Sequence, residues 1–158
     1  MSERMTMGHY KSNLRDIEFN LFEVFGADDR MGKGPYAEMD STTARDILRE
    51  VERLASGPLA ESFADADRNP PVYDPAACTV VMPEGFKKSF KALMDAEWWR
   101  LDLPEHLGGT GAPPSLRWAA SEMLLGSNPG HSCSCPALVS PASSTTSAMP
   151  TRSAGPNS

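Results

Sequence analysis

The composition of the chain changes abruptly near Asn128, and this break limits how much of the chain can fold. Before it, apolar residues recur between charged turns. After it, residues 129–158 hold one charged residue, Arg152, among Ser, Pro, Ala and Thr. Such a stretch cannot bury enough apolar surface to offset its ordering entropy. We therefore expect one all-α domain up to Asn128 and disorder over residues 129–158.

The front part has apolar residues at intervals of three and four, which predicts helices with one buried face. The first helix is predicted to begin at a Ser12 cap and to end at Gly26. The second begins at Asp40 or Ser41 and ends at Gly57. Their predicted apolar stripes are Leu14, Ile17, Leu21, Phe22, Val24 and Phe25, then Ala44, Ile47, Leu48, Val51, Leu54 and Ala55.

Three prolines mark the starts of three further helices, because proline suits the first turn of a helix. They are Pro58, Pro83 and Pro114. Residues 72–82 are expected to be extended or turn-like, with a short strand possible over 78–82. The predicted buried positions of the last two helices are Phe86, Phe90, Leu93, Met94 and Trp98, then Leu116, Ala119, Ala120, Met123 and Leu124.

The charge pattern argues against nucleic-acid binding. The formal net charge is −6, and the densest basic run, Lys87, Lys88 and Lys91, lies beside Glu84 and Asp95 on a predicted helix. We interpret this run as a solvated face. The sequence has no apolar run long enough for a membrane span and no apolar core of a signal peptide. We therefore expect a cytoplasmic protein.

The three cysteines do not suggest a disulfide framework, since Cys78 is far along the chain from Cys133 and Cys135. His131 with Cys133 and Cys135 forms the run HSCSC. A structural zinc site takes four well-spaced ligands, and no fourth ligand is evident, so we predict no metal site. The run GGTG lacks the Lys and Ser or Thr of a P-loop, and no strand precedes it, so we do not predict a phosphate cradle.

The stretch from FKKSF to LLGSNP resembles the amino-terminal helical domain of flavin-dependent acyl-CoA dehydrogenases. In that family a helix leads to a Leu-Pro-Glu and glycine corner, followed by a helix ending near LG-NP. The helix end here is Leu125, Gly126, Asn128 and Pro129, and the corner is formed by Leu103, Pro104, Glu105, Gly108, Gly109 and Gly111. Together with ESFADADRNPP, which is typical of a larger long-chain-type subgroup, the resemblance covers residues 8–129. It implies an extension over residues 1–39 and the family's helical domain over 40–128.

The resemblance implies FAD as cofactor, fatty acyl-CoA as substrate and an electron-transferring flavoprotein as acceptor. A carboxylate base removes the α proton of the thioester while a hydride passes from the β carbon to flavin. The family holds FAD mainly in a middle β domain and a carboxy-terminal bundle, which also supplies the catalytic glutamate. The resemblance implies a homo-oligomer for the intact enzyme only.

No catalytic, cofactor-binding or metal-ligating residue is predicted within this chain. Its carboxylates do not match the family's base by motif, and His106 stands where the family is commonly aromatic. The candidate glutamates are Glu61, Glu84, Glu97, Glu105 and Glu122. We therefore expect the chain to be inactive by itself and colourless.

Two interpretations of residues 129–158 stay open. With permitted codons, a shifted reading frame from residue 130 gives PLVFMSGPGFAGILYDLGNADPVRRAEL, which resembles the family's continuation; this predicts a truncated or frameshifted product. A natural disordered tail is the alternative. The competing function is a non-catalytic helical interaction module with such a tail, and assembly with a separately encoded remainder is a third possibility.

Overall fold

Five α-helices and one β-hairpin make up the part of the chain that the structure, a computed structural model, describes, which is residues 9–131. In chain order they are α1 (Leu14–Glu18), α2 (Ser41–Leu54), α3 (Ala60–Arg68), β1 (Val72–Asp74), β2 (Thr79–Val81), α4 (Glu84–Asp95) and α5 (Pro114–Ser127). π-helical turns continue α1 and join α2 to α3, at Phe19–Val24 and Ala55–Leu59. Short 3-10 turns lie at Ala27–Asp29, Gly34–Tyr36, Trp98–Arg100 and Glu105–Leu107. The predicted all-α class is confirmed, with one small hairpin added.

One hydrophobic core lies where α2 packs against α5, and α3 packs against α4 beside it. The buried residues of this core come from both the predicted extension, residues 1–39, and the predicted helical domain that follows it. Leu21 and Phe22 lie in the same cluster as the α2 side chains. The innermost apolar residues, each fully or almost fully buried, are Leu48, Val51, Leu59, Leu93, Leu101, Leu116 and Met123.

The predicted start of α2 is confirmed. Asp40 precedes the helix, and its carboxylate accepts a hydrogen bond from the backbone N–H of Thr43, with 2.7 Å between oxygen and nitrogen. Hydrogen bonds from Thr43 hold the pKa of Asp40 below its usual value. The cap satisfies one of the N–H groups that every helix start leaves without a helical partner.

The start and the end of α1 differ from the prediction. The residue before the helix is Asn13 and no side chain caps it, so the predicted Ser12 cap is wrong. Beyond Glu18 the helix widens into a π-helical turn, in which the N–H of Phe25 bonds to the carbonyl of Asn20. This wider turn breaks the 3.6-residue period, and the predicted core residues Val24 and Phe25 are exposed.

The predicted stripe of α4 is confirmed up to Met94, and Trp98 is a correction to it. The helix ends at Asp95, and Glu97 takes a left-handed backbone conformation with φ of 57°. Trp98 therefore lies in a separate 3-10 turn, from which its ring still packs against the core. The three lysines of α4 are exposed, as the solvated-face interpretation predicts.

The segment predicted to be extended forms an antiparallel hairpin. Val72 pairs with Val81 and Asp74 with Thr79, and all six strand residues are exposed. The predicted short strand after Cys78 is confirmed, and its partner strand lies at the start of the same segment. A two-stranded hairpin is marginally stable alone, so this one depends on its connections to α3 and α4.

Packed structure continues beyond the predicted boundary at Asn128. Asn128 and His131 are both buried, at 3% and 1% exposure. Residues 132–158, which hold most of the predicted disordered tail, lie outside the described residues, as do residues 1–8. Within residues 9–131, no helix combines the length and the apolar composition that crossing a membrane requires.

Candidate functional site

The glycine corner between α4 and α5 is a tightly closed loop. A Cβ atom on Gly109 would lie 2.0 Å from the carbonyl oxygen of Leu103, so only glycine fits there without movement. Gly108 has φ of +79°, a left-handed conformation that glycine adopts without strain. These two positions explain why the sequence places adjacent glycines at this point.

The backbone amides of the three corner glycines donate hydrogen bonds to carbonyls of the corner itself. The N–H groups of Gly108 and Gly109 donate to the carbonyls of Glu105 and Pro104, and Gly111 donates to Leu103. A phosphate cradle needs amides that point together at an external anion. The amides of Gly108, Gly109 and Gly111 therefore do not form such a cradle.

A buried ion pair joins Asp102, which directly precedes the corner, to Arg117 of α5. The Nε atom of Arg117 lies 3.1 Å from Oδ2 of Asp102, and the two side chains are 5% and 11% exposed. The guanidinium of Arg117 also lies over the ring of Trp118, 4.9 Å from its centre. Sequence reasoning missed Arg117, because a charged residue on a predicted helix normally faces water.

Buried polar side chains tie the end of α5 to the π-helical turn and α3. Ser127 donates to the carbonyl of Ala55, and the amide nitrogen of Asn128 lies 3.0 Å from the hydroxyl oxygen of Ser62. Ser62 in turn donates to the carbonyl of Leu59 at 2.9 Å. These bonds satisfy carbonyls where the helix is kinked, so the cluster is structural.

His131 is the buried titratable group of this region. Its Nε2 lies 3.1 Å from the hydroxyl of Ser89, and its ring stacks on Phe86 with 4.6 Å between centres. Burial lowers the pKa of His131 to about 4. The ring is thus neutral at physiological pH and too enclosed to reach a substrate; Cys133 and Cys135, its neighbours in HSCSC, lie outside the described residues.

The structure does not gather the candidate glutamates into one place. Glu84 and Glu97 form surface ion pairs with Lys87 and Arg100, at 2.6 and 2.9 Å. Glu61 and Glu105 are exposed, and so is His106. Glu61 lines a depression between α3 and α4, and Glu122 lines a separate groove.

That groove runs between the first helix and α5. It comprises two depressions of about 450 and 460 Å³, which share the lining residues Leu21, Phe25 and Ser115. Phe25 is 71% exposed and Trp118 is 49% exposed. Exposed aromatic side chains around a concave apolar surface are typical of an interaction site.

Comparison with known proteins relates the chain to enzymes that oxidise CoA thioesters. Over 123 residues it is 52% identical to the broad-specificity linear acyl-CoA dehydrogenase of Mycobacterium tuberculosis. Over 115 residues it is 27% identical to the 3-methylmercaptopropionyl-CoA dehydrogenase of Ruegeria pomeroyi. No protein-family model matches the chain.

These matches cover most of this chain and a small part of each relative. They include 78% and 73% of this chain but 20% and 19% of the two enzymes. The chain thus spans about one fifth of the length of the curated relatives it matches. The shared stretch is long and similar enough that chance does not explain it.

Proposed function

We propose that this chain, which belongs to the acyl-CoA dehydrogenase family, provides the amino-terminal helical domain of an FAD-dependent enzyme that dehydrogenates fatty acyl-CoA thioesters. The observation that carries the proposal is the 52% identity over 123 residues, a stretch as long as the domain described above. The buried apolar side chains of this stretch form one hydrophobic core.

In this proposal the domain is a scaffold, and the chemistry belongs to other parts of the enzyme. FAD, the catalytic carboxylate and the acyl pocket would lie mainly in the portion of the relatives that the match does not cover. The electron-transferring flavoprotein, the homo-oligomer and the cytoplasmic location are likewise proposed for the intact enzyme. When bound, FAD would accept the hydride from the β carbon.

We also propose the division of the chain into an extension over residues 1–39, the family's helical domain over 40–128 and an out-of-frame stretch over 129–158. The resemblance of the shifted frame to the family's continuation supports the last part. Sequencing the gene through this region tests it: a second frame that continues the dehydrogenase is expected. A single uninterrupted frame encoding the Ser-rich stretch in all related genes would contradict it.

A domain exchange tests the main proposal. Residues 8–129 replace the matching stretch in the Mycobacterium tuberculosis enzyme, and the purified chimaera is assayed with linear acyl-CoA substrates. We expect a yellow protein with a rate within about tenfold of the parent, a barrier difference of about 1.4 kcal/mol or less. The chain by itself is expected to be colourless and inactive.

The matched control is the parent enzyme with the same stretch deleted, which should lose activity. A chimaera that unfolds cooperatively yet lacks the flavin absorbance band would contradict the proposal. Deletion without loss of activity would also contradict it, because a scaffold domain would then be dispensable.

The second candidate is a non-catalytic helical interaction module. The observation that favours it is the continuous core, in which Leu48, Val51, Leu116 and Met123 are fully buried. Residues 1–128 would then unfold in one cooperative thermal transition without any partner. Aggregation of that fragment at modest temperature would favour a domain that depends on the rest of an enzyme.

A further inference from the structure

The side chain of His131 packs against one face of α4. Phe86, Ser89 and Phe90 lie three and four residues apart on that helix, so they share this face. We call these three residues the α4 socket. The imidazole ring of His131 stacks on Phe86 with 4.6 Å between ring centres and on Phe90 with 6.1 Å. Two of the three socket side chains are therefore aromatic, and Ser89 supplies the polar one.

The backbone brings position 131 to the socket through Asn128. The side chain of Asn128 is held by Ser62, with 3.0 Å between amide nitrogen and hydroxyl oxygen. Its Oδ1 accepts a hydrogen bond from the N–H of Gly130 at 3.1 Å, and its carbonyl accepts one from the N–H of His131 at 3.2 Å. These bonds use only the backbone of residues 130 and 131, so the imidazole itself is not needed for them.

The ring of His131 makes one hydrogen bond where it has two nitrogens. The hydroxyl of Ser89 donates to the carbonyl of Phe86 at 3.0 Å, so it accepts from Nε2–H of His131 at 3.1 Å. The other ring nitrogen, Nδ1, is buried and has no hydrogen-bond partner within residues 9–131. A buried polar atom without a partner loses its bond to water and gains none in return.

A leucine at this position would avoid that loss. Its side chain is of similar size and has no polar atom, so it would keep the contacts with Phe86 and Phe90. Ser89 would retain its bond to the carbonyl of Phe86, and no donor would be left without a partner. The socket is therefore better matched to an apolar side chain than to the histidine that it contains.

We infer that the α4 socket is a site for an apolar side chain and that histidine entered it with the change of reading frame. The inference rests on the proposed function, in which residues 129–158 are out of frame. The shifted reading from residue 130 begins with Pro and Leu and so places leucine at position 131. A buried histidine retained for its own chemistry normally has both ring nitrogens hydrogen-bonded, and His131 does not.

Substitutions at position 131 of the full chain test the inference. His131→Leu should raise the midpoint of thermal unfolding at pH 7 by about 4 °C, because it removes the buried Nδ1 and keeps the apolar contacts. His131→Asn, which is polar and smaller, should lower the midpoint. The matched control is His106→Leu, the same exchange at an exposed histidine, which should change the midpoint by about 1 °C or less.

A double-mutant cycle separates the poor match of the ring from a general gain of apolar surface. Ser89→Ala removes the partner of Nε2 and should lower the unfolding midpoint while His131 is present. In the His131→Leu background the same change should have less than about half that effect, because no ring nitrogen then depends on Ser89. Equal losses in the two backgrounds would contradict the inference.

A cavity variant gives a second test that does not depend on how well leucine packs. His131→Ala leaves space between Phe86 and Phe90, and an apolar cavity accepts an apolar guest. Millimolar benzene should raise the unfolding midpoint of His131→Ala by about 2 °C and leave that of the unaltered chain unchanged. Stabilisation by imidazole in place of benzene would overturn the inference.

The inference is also overturned if His131→Leu lowers the midpoint or changes it no more than His106→Leu does. The domain exchange uses residues 8–129 and so does not contain His131, which keeps the two results separate. An active chimaera together with a destabilised His131→Leu chain would end the socket inference alone. A stabilised His131→Leu chain together with an inactive chimaera would end the proposed function and leave the socket as an apolar site.

Discussion

Arg117 and Trp118 are neighbours on α5. A charged side chain is normally exposed and an aromatic one normally buried, but here the two are reversed. The charged Arg117 is 4% exposed, whereas the aromatic Trp118 is 49% exposed. The buried Arg117 forms an ion pair with the carboxylate of Asp102, which directly precedes the corner. Trp118 is exposed because it lies on the side of α5 that borders the groove.

The contrast shows that one face of α5 is covered within the described residues and that the opposite face is covered only in part. The covered face packs on α2 around Leu116 and Met123. The opposite face, which carries Trp118, borders the groove and is only partly covered by the first helix and its π-helical turn. Burial at a given position thus depends on which element is present opposite it, and three predictions follow from the comparison.

The largest effect is expected at the buried ion pair. Asp102→Ala removes the carboxylate that faces Arg117 inside the protein, and should lower the free energy of unfolding by about 3–5 kcal/mol. The matched control is Asp46→Ala, which breaks the 2.6 Å pair with Arg49 on the surface and should cost about 0–1 kcal/mol. Urea unfolding measures both; equal losses would show that the pair is not effectively buried.

A smaller difference in the free energy of unfolding is expected between alanine substitutions at a buried and at an exposed apolar residue. Leu116→Ala leaves a cavity at a fully buried site and should cost about 2–5 kcal/mol. Phe25→Ala removes a larger side chain from an exposed site and should change stability by about 0.5 kcal/mol or less. Thermal unfolding of the full chain distinguishes them. A large loss from Phe25→Ala would mean that another part of the chain already covers the groove.

The smallest effect concerns pH and His131. Its pKa in the folded protein, about 4, lies below the ordinary value of 6.5, so the unfolded chain binds the proton first as the pH falls. The free energy of unfolding should therefore decline between pH 6.5 and 4, by an amount on the order of 2 kcal/mol. His131→Gln should remove this part of the decline.

The comparison of the two proteins across pH isolates His131, because carboxylates such as Asp40 also destabilise the fold at low pH in both. Curves that run parallel from pH 7 to 4 would contradict the burial of the ring. Parallel curves would also mean that the packed region ends near Asn128, which is the boundary predicted from the sequence.

Local signals in the sequence predicted most of the fold. The Asp40 cap, Pro114 at the first position of α5 and the glycines of the corner act over a few residues, so their effects can be read without the tertiary structure. The errors have a common cause. The 3.6-residue period predicts Val24 and Phe25 in the core, but the π-helical turn interrupts that period. The same period places Trp98 on α4, which ends at Asp95.

The candidate site was less predictable, because it depends on contacts between distant parts of the chain. The resemblance to acyl-CoA dehydrogenases depended on the ESFADADRNPP block together with the corner and its two flanking helices, and the comparisons agree with it. The groove could not be foreseen, since its lining residues, among them Leu21, Phe25 and Trp118, come from separate segments of the chain. Nothing in their local sequence shows that they lie around one concave surface.

The sequence by itself determined the helices, the corner and the family, because each depends on short-range backbone preferences or on a stretch of shared residues. Only the tertiary structure decided that Arg117 is buried, that Phe25 is exposed and that His131 packs against Phe86. Those outcomes depend on which surfaces meet across the fold, and a buried charge or an exposed aromatic ring is stable only through partners that lie far away in the chain.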